Sequence, residues 1–292
     1  MAKTKKDINL VQRPIRKFAP VFILPTFLAF IIGFVWPFIQ GIYLSFCNFN
    51  TPRDAKWVGI SNYLKVFTDA GFLNAFKNTA GFAIVSIILI NVVAFFIAYA
   101  LTQKMRGANL FRTVFFMPNL IGGVVLGYIW SMIFDGILKN YGTYLTANGT
   151  YGFWGLVILV AWQQIGYMMI IYIAGLQAVP EDMLEAAKID GANRWQTLIK
   201  VTIPNIMPSI TICLFLSLTN GFKLFDQNLA LTNGDPAHKT EMLALNIYQT
   251  FYGRSGPQWK GYGQAKAVIF CILVVAIGLI QLKATRSKEV QQ

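Results

Sequence analysis

Residues 185–191 read Glu-Ala-Ala-Lys-Ile-Asp-Gly, and residues 201–204 read Val-Thr-Ile-Pro. Together they form the longest polar interruption between two very apolar segments. Pro180 suits the first position of a helix, where its missing N–H costs nothing. Gly191 stands where a glycine stops a helix, and Asn193 followed by Gln196 predicts the start of another. The stretch therefore predicts two short helices joined at a glycine, outside the hydrocarbon of a membrane.

The first of these helices has the composition of a docking element. Its acidic residues favour the positive end of the helix dipole. Ala186 and Ala187 are small and leave a face for close approach beside Glu185. The alternative is an ordinary amphipathic connector between two spans.

The composition indicates a membrane protein. Hydrophobic residues make up 55% of the 292 and charged residues 13%, against about 25% charged in a typical soluble domain. Most charge-free runs exceed the ~20 residues that cross a bilayer, and in lipid such runs must be helical. These runs are 18–52, 78–103, 113–134, 140–180, 201–222 and 267–282. We predict an all-α protein with six transmembrane helices.

The domain organisation follows from these spans. We predict a basic cytoplasmic tail at 1–17, a six-span transmembrane domain at 18–284 with the docking loop at about 178–204, and a second tail at 285–292. The net charge of +13 does not indicate nucleic-acid binding. Fifteen of the 25 Lys and Arg residues fall on one face of the six-span topology, among them Lys104. The positive-inside rule places that face, with both termini, in the cytoplasm.

The docking loop resembles the cytoplasmic EAA loop of permease subunits in bacterial ABC importers. That signature reads Glu-Ala-Ala, three residues, Gly, nine residues, then Ile-x-Leu-Pro. Here Val201 and Ile203 are conservative departures from it. Two weaker motifs, in residues 58–63 and 231–236, resemble outer loops of sugar permeases. The first is more similar to the larger, MalF-like subunit of maltose-type permeases, and its alternative is an interfacial loop without a partner.

The resemblance implies the type I ABC importer permease fold in the bacterial inner (plasma) membrane. It implies a chain that forms half of a heterodimeric core and alternates between inward- and outward-facing states. The implied partners are a second homologous permease subunit, two cytosolic ATPase subunits and an extracytoplasmic solute-binding protein. ATP and Mg²⁺ belong to the ATPase subunits, so no cofactor is expected in this chain. The residues implied in ATPase coupling are Glu185, Ala186, Ala187, Asp190 and Gly191.

Uncharged polar residues within the spans indicate the cargo. Asn119, Gln163, Gln164, Tyr167 and Asn220 supply amides and a phenol, which both donate and accept hydrogen bonds. An unpaired ion in a span costs at least ~2.5–3.5 kcal/mol, so we expect a neutral sugar or oligosaccharide. The nearby alternative is a polyol or glycerol phosphate. The resemblance matches sugar-contact positions to Asn119, Gly123, Gln164, Tyr167, Gly221 and Leu224.

The sequence leaves three local questions open. The glycines of span three permit close helix contact or a thin cavity wall. The adjacent Gln163 and Gln164 make hydrogen bonds between helices or face a cavity. Lys223 and Asp226, three residues apart, are expected to pair near the outer interface rather than to act as a charge relay.

Several classes of function are disfavoured. The sequence has no Gly-x-x-x-x-Gly-Lys-Ser/Thr phosphate loop, so this chain is not the ATPase. His238 is its only histidine, and the three cysteines lack paired spacing, which leaves no metal site or catalytic set. We therefore expect a transport subunit and not an enzyme. The runner-up is an ATP-independent carrier or channel, and a membrane enzyme is third.

Overall fold

The chain is built almost wholly from helices. The computed structural model describes residues 21–103 and 106–286. The predicted tail at 1–17, Lys104 and the chain after residue 286 lie outside these ranges. The helices are α1 Val21–Ser45, α2 Ser61–Thr68, α3 Ala70–Thr102, α4 Ala108–Phe116, α5 Gly123–Leu138, α6 Gly149–Gln177, α7 Glu181–Ile189, α8 Arg194–Asn205, α9 Met207–Phe222, α10 Asp226–Leu231, α11 Leu243–Tyr252 and α12 Pro257–Arg286. Strands β1 Cys47–Asn48 and β2 Lys56–Trp57 pair antiparallel.

The described helices agree with six spans if each bent pair counts once. α1, α3, α6 and α12 are each long and apolar enough to cross a membrane. The α4–α5 pair bends by 100° and the α8–α9 pair by 72°, which the sequence did not predict. Prolines lie at both breaks: Pro118 in the short 3₁₀ turn after α4, and Pro204 and Pro208 on either side of Ile206. Proline lacks a backbone donor, which favours such breaks.

The core forms where α3 packs along α6. Ala94 and Ala98 of α3 are fully buried, as are Leu156, Leu159 and Met168 of α6. Small residues on one helix let the two backbones approach closely, which is how helices associate in lipid. By contrast, the apolar side chains of α1 are mostly exposed, as expected for a span that faces lipid or another subunit.

The segment after α9 folds back onto the bundle instead of forming a long open loop. α10 packs against α5, where a Cβ on Gly127 would clash with the Cβ of Ala230. A Cβ on Gly123 would likewise clash with the side chains of Asp226 and Gln227. These two glycines therefore serve close helix contact, the first of the two alternatives for span three.

Buried hydrogen bonds hold this returning segment in place. Asn228 is fully buried, and its Nδ2 donates to the Thr240 carbonyl oxygen at 2.9 Å. Its Oδ1 accepts from the Met242 backbone N–H at 2.9 Å. Thr240 Oγ1 donates to Thr232 Oγ1 at 2.9 Å. The predicted turn at 231–236 is thus tied to the start of α11.

Candidate functional site

A group of amide side chains lies beside the break in span three. Gln163 of α6 donates from Nε2 to the Ile121 carbonyl oxygen at 3.1 Å, inside that break. Its Oε1 accepts from Gln227 Nε2 of α10 at 2.7 Å. Gln163 is buried, and both ends of its amide are used within the chain. It therefore joins α6, the break and α10, which is the predicted alternative of hydrogen bonds between helices.

The neighbouring glutamine makes a similar contact to span five. Gln164 Oε1 accepts from Asn220 Nδ2 at 3.4 Å. Gln164 is buried, whereas Asn119, Tyr167 and Asn220 are half-buried. The two glutamines thus form an inner row, which accepts hydrogen bonds from Asn220 and Gln227 of a more accessible row. Together these residues are called the amide group below: Asn119, Gln163, Gln164, Tyr167, Asn220 and Gln227.

Gln227 is a member of this group that the sequence reasoning missed. The sequence predicted no helix between residue 226 and span six and only an outer-loop motif at 231–236, so the Gln227 side chain had no assigned neighbour. The sequence did contain an indication of this contact. Gly123 and Gly127 lie four residues apart, a spacing that lets another helix pack closely against both. α10 is that element, and it carries Gln227 to Gln163.

A glycine contact fixes the position of the break. A Cβ on Gly166 of α6 would overlap the backbone carbonyl oxygen of Phe115, at the end of α4. Any side chain at residue 166 would therefore push α4 away from α6. Since Gly166 lies between Gln163 and Tyr167, this contact sets how close the break comes to the amide group.

Three predicted pathway positions lie outside the amide group: Gly123, which packs against α10, and also Gly221 and Leu224. Gly221 faces α3, where its Cβ would come 3.3 Å from the Cα of Ala83, and Leu224 is buried in the main core. The predicted pairing of Lys223 with Asp226 is wrong. α9 ends at Phe222 and α10 begins at Asp226, so the two residues do not share a helix, and they form no ion pair with each other. Both side chains are exposed.

The docking loop has the predicted two helices. α7 begins at Glu181, with Pro180 one residue ahead at the N-cap rather than inside the helix. Gly191 has a φ of 77°, the left-handed conformation that ends a helix and favours glycine. Asn193 and Gln196 form the predicted capping box, with Asn193 N to Gln196 Oε1 at 2.8 Å and Gln196 N to Asn193 Oδ1 at 2.9 Å.

The exposed face of α7 differs in part from the predicted one. Glu185, Ala186 and Asp190 are exposed, but Ala187 is buried against the chain itself. The apolar side chain on the exposed face is instead that of Ile189, which is 86% exposed at the end of α7. The surface offered by α7 is thus a carboxylate beside small and apolar side chains.

A buried cation lies at the other end of the bundle. Lys266 of α12 is 2% exposed, and its Nζ lies 2.7 Å from Asp69 Oδ2. It also donates to Asn246 Oδ1 at 2.8 Å and to Thr250 Oγ1 at 3.0 Å, both on α11. Burial alone would raise the pKa of Asp69, but hydrogen bonds from Lys266 and Tyr262 outweigh it and lower that pKa to about 2. The pair ties α11 and α12 to the start of α3.

The family of binding-protein-dependent transport system inner membrane components matches residues 106–284. This region contains the docking loop, the amide group and the buried lysine. The chain belongs to this family. The predicted recognition is therefore confirmed, as is the interpretation as a transport subunit and not an enzyme. A binding-protein-dependent system also disfavours the ATP-independent carrier.

Relatives cover nearly the whole chain. A probable starch degradation products transport system permease of Thermoanaerobacterium thermosulfurigenes is 45% identical, over 93% of this chain and 94% of the relative. A multiple sugar-binding transport system permease of Streptococcus mutans is 32% identical, over 89% and 92%. Among solved structures, a bacterial ABC transporter that imports alginate matches with a TM-score of 0.79 at 19% identity, over 95% and 98%. The predicted importer permease fold is confirmed.

Proposed function

We propose that this chain is the permease subunit of an ATP-driven ABC importer and forms half of the transmembrane pathway for a neutral sugar or oligosaccharide. Two relatives named for starch degradation products and for multiple sugars support this substrate class, since the chain matches them over about nine-tenths of its length. Because its family is that of inner membrane components, it acts in the membrane.

The amide group carries the proposal within the chain. Its side chains are amides and a phenol, which bind hydroxyl groups both as donors and as acceptors. The nearest charges along the chain, Lys223 and Asp226, are opposite in sign and add no net charge. A charged solute would need an unbalanced counter-charge there. A neutral, hydroxyl-rich molecule fits this chemistry.

We propose that the accessible row binds the sugar and the inner row positions it. Asn119, Tyr167, Asn220 and Gln227 are half-buried and contact the solute, while Gln163 and Gln164 hold Gln227 and Asn220 in place. Gly123 does not contact the solute itself; it lets α10 pack closely and so places Gln227. Gly221 and Leu224 act through packing alone.

We propose that α7 and Gly191 transmit the movement of ATPase subunits. Glu185, Ala186, Asp190 and Ile189 form the contact surface, and Gly191 sets the angle between α7 and α8. The partners are two cytosolic ATPase subunits, a second homologous permease and an extracytoplasmic binding protein. ATP and Mg²⁺ belong to the ATPase subunits. Both termini and α7 lie in the cytoplasm, as the distribution of basic residues favours.

A glycerol phosphate is the second candidate, because permeases for sn-glycerol-3-phosphate are 28–29% identical to this chain. A phosphate carries at least one negative charge, and the amide group offers no net positive charge to balance it. The neutral sugar therefore fits better.

An uptake screen in a strain without this chain tests the proposal. We expect loss of uptake of at least one neutral sugar, restored by the intact gene. Loss confined to amino acids, peptides, inorganic anions or glycerol phosphate contradicts the sugar assignment.

A further inference from the structure

We propose a second carbohydrate subsite at the outer end of the helix bundle, where the rings of Phe225, Tyr248 and Tyr252 pack against an oligosaccharide. This subsite, called the aromatic platform below, rests on the proposed function. It consists of Phe225 and two residues of α11, none of which belongs to the amide group.

The three rings form a continuous row. The ring centroids of Phe225 and Tyr248 are 5.1 Å apart, and those of Tyr248 and Tyr252 are 5.0 Å apart. Both separations fall in the ~4.5–7 Å range of favourable aromatic pairs. Tyr248 and Tyr252 lie four residues apart on α11 and thus on one face of it. They are 43% and 70% exposed, so this face is accessible to a ligand.

A cavity of about 370 Å³ adjoins this row and is lined also by Gln264 of α12. Within residues 21–103 and 106–286, neither tyrosine hydroxyl has a hydrogen-bond partner, and the same holds for the Gln264 amide. These groups are free to bind a ligand. Aromatic faces pack on the C–H face of a sugar ring, while hydroxyl and amide groups bind its hydroxyls. None of the residues that line the cavity is charged, which favours a neutral ligand.

The opposite face of α11 holds the platform rigid. Lys266 binds Asn246 and Thr250 on that buried face, at 2.8 and 3.0 Å. A binding surface on an anchored helix loses little entropy when it takes up its ligand. The platform therefore has a fixed geometry before the sugar arrives.

In the sequence, the platform begins next to a member of the amide group. Phe225, its first ring, is two residues before Gln227, which binds Gln163. Because Phe225 lies this close to Gln227 along the chain, we expect an oligosaccharide of several units to span both sites and a disaccharide to occupy one of them. The platform therefore favours longer substrates.

A length series of linear neutral gluco-oligosaccharides, from two to seven glucose units, tests this inference. Uptake is measured in vesicles that contain the full complex with its binding protein. We expect the double substitution Tyr248→Leu/Tyr252→Leu to lower uptake of the longest sugars about tenfold while disaccharide uptake changes less than about twofold. Gln264→Leu is expected to have a smaller effect with the same length dependence.

The matched control is Tyr141→Leu, since Tyr141 is 80% exposed in the turn after α5 and lies outside the cavity. Equal loss for all lengths, or loss of the second permease on purification, overturns the platform and assigns the tyrosines to a structural or subunit contact. Unchanged uptake of long sugars also overturns it, as does wild-type uptake limited to disaccharides. Wild-type uptake of none of these sugars overturns the platform as a site for glucose chains, whereas the proposed function itself fails only if the uptake screen finds no neutral sugar.

Discussion

Lys266 Nζ and Asp69 Oδ2 lie 2.7 Å apart at the junction of three helices, with the lysine 2% exposed. The ammonium group donates to Asp69, Asn246 and Thr250, so each of its three N–H donors has a hydrogen-bond acceptor. A buried charge with its partner in place is tolerated, but removing one partner is costly because the other charge remains.

We expect Lys266→Met to destabilise the protein by about 3 kcal/mol, the lower end for a broken buried pair because Asp69 is partly exposed. Thermal unfolding of the purified protein in detergent measures this. Combining it with Asp69→Asn is expected to cost less than the sum of both changes, since no unpaired charge remains. The control Lys139→Met, at an exposed lysine, should change stability by less than ~0.5 kcal/mol. Equal effects of the two lysine substitutions would contradict this account.

The same carboxylate predicts a specific pH dependence. The pKa of Asp69 is lowered to about 2 from 3.8, the value for an unfolded chain. The folded state therefore binds this proton less readily than the unfolded state. The stabilisation is complete above about pH 3.8 and is lost as the pH falls towards 2. We expect the unfolding temperature of the wild type to fall more steeply in this window than that of Asp69→Asn. Parallel curves would show that the pair contributes nothing.

The fold could be predicted from the sequence where composition and spacing act locally. Long charge-free runs predict spans, and Gly191 with Asn193 and Gln196 predicts the two short helices of the docking loop. What the sequence left open depends on contacts between distant residues. The bends of spans three and five lie beside prolines, but hydropathy alone does not show a bend. The burial of Ala187 and the contact of Gln227 with Gln163 depend on packing against other parts of the chain. Hydropathy carries no information on such pairings.

Gly191 offers a test that separates backbone conformation from side-chain bulk. A Cβ at this glycine meets no atom within 4 Å, so steric overlap at the Cβ is not the obstacle, but the φ of 77° disfavours most side chains. Asparagine tolerates this conformation and valine does not. We expect Gly191→Asn to keep near-normal uptake and Gly191→Val to lower the ratio of sugar transported to ATP hydrolysed by about tenfold, since a strain of ~1–2 kcal/mol would shift the angle of α7. Normal coupling in the valine variant would contradict the role of this glycine.

Ile189 tests the contact surface of α7. Ile189 is 86% exposed, and a partner that covers it would remove its apolar surface from water, which is favourable. We expect Ile189→Asp to weaken co-purification of the ATPase subunits by about tenfold or more, because a charge would enter an apolar contact. Ile60→Asp is the matched control, an isoleucine 62% exposed near α2 at the other end of the bundle. If both variants retain the ATPase subunits equally, α7 does not bind them through this residue.

Gln227 allows structural and functional roles to be separated in the amide group. Its Nε2 donates to the buried Gln163 Oε1 at 2.7 Å, so Gln227→Leu leaves that acceptor unpaired, at a cost of about 1–3 kcal/mol. Replacing both residues by leucine removes that unpaired acceptor and should recover part of the lost stability, because the Ile121 carbonyl oxygen then loses its Gln163 donor. If Gln227 also contacts the sugar, uptake remains low in the double variant although its unfolding temperature recovers in part. Thermal unfolding and uptake at several sugar concentrations are measured for all four proteins of the cycle. Recovery of uptake together with stability would show that Gln227 only supports the fold of α10.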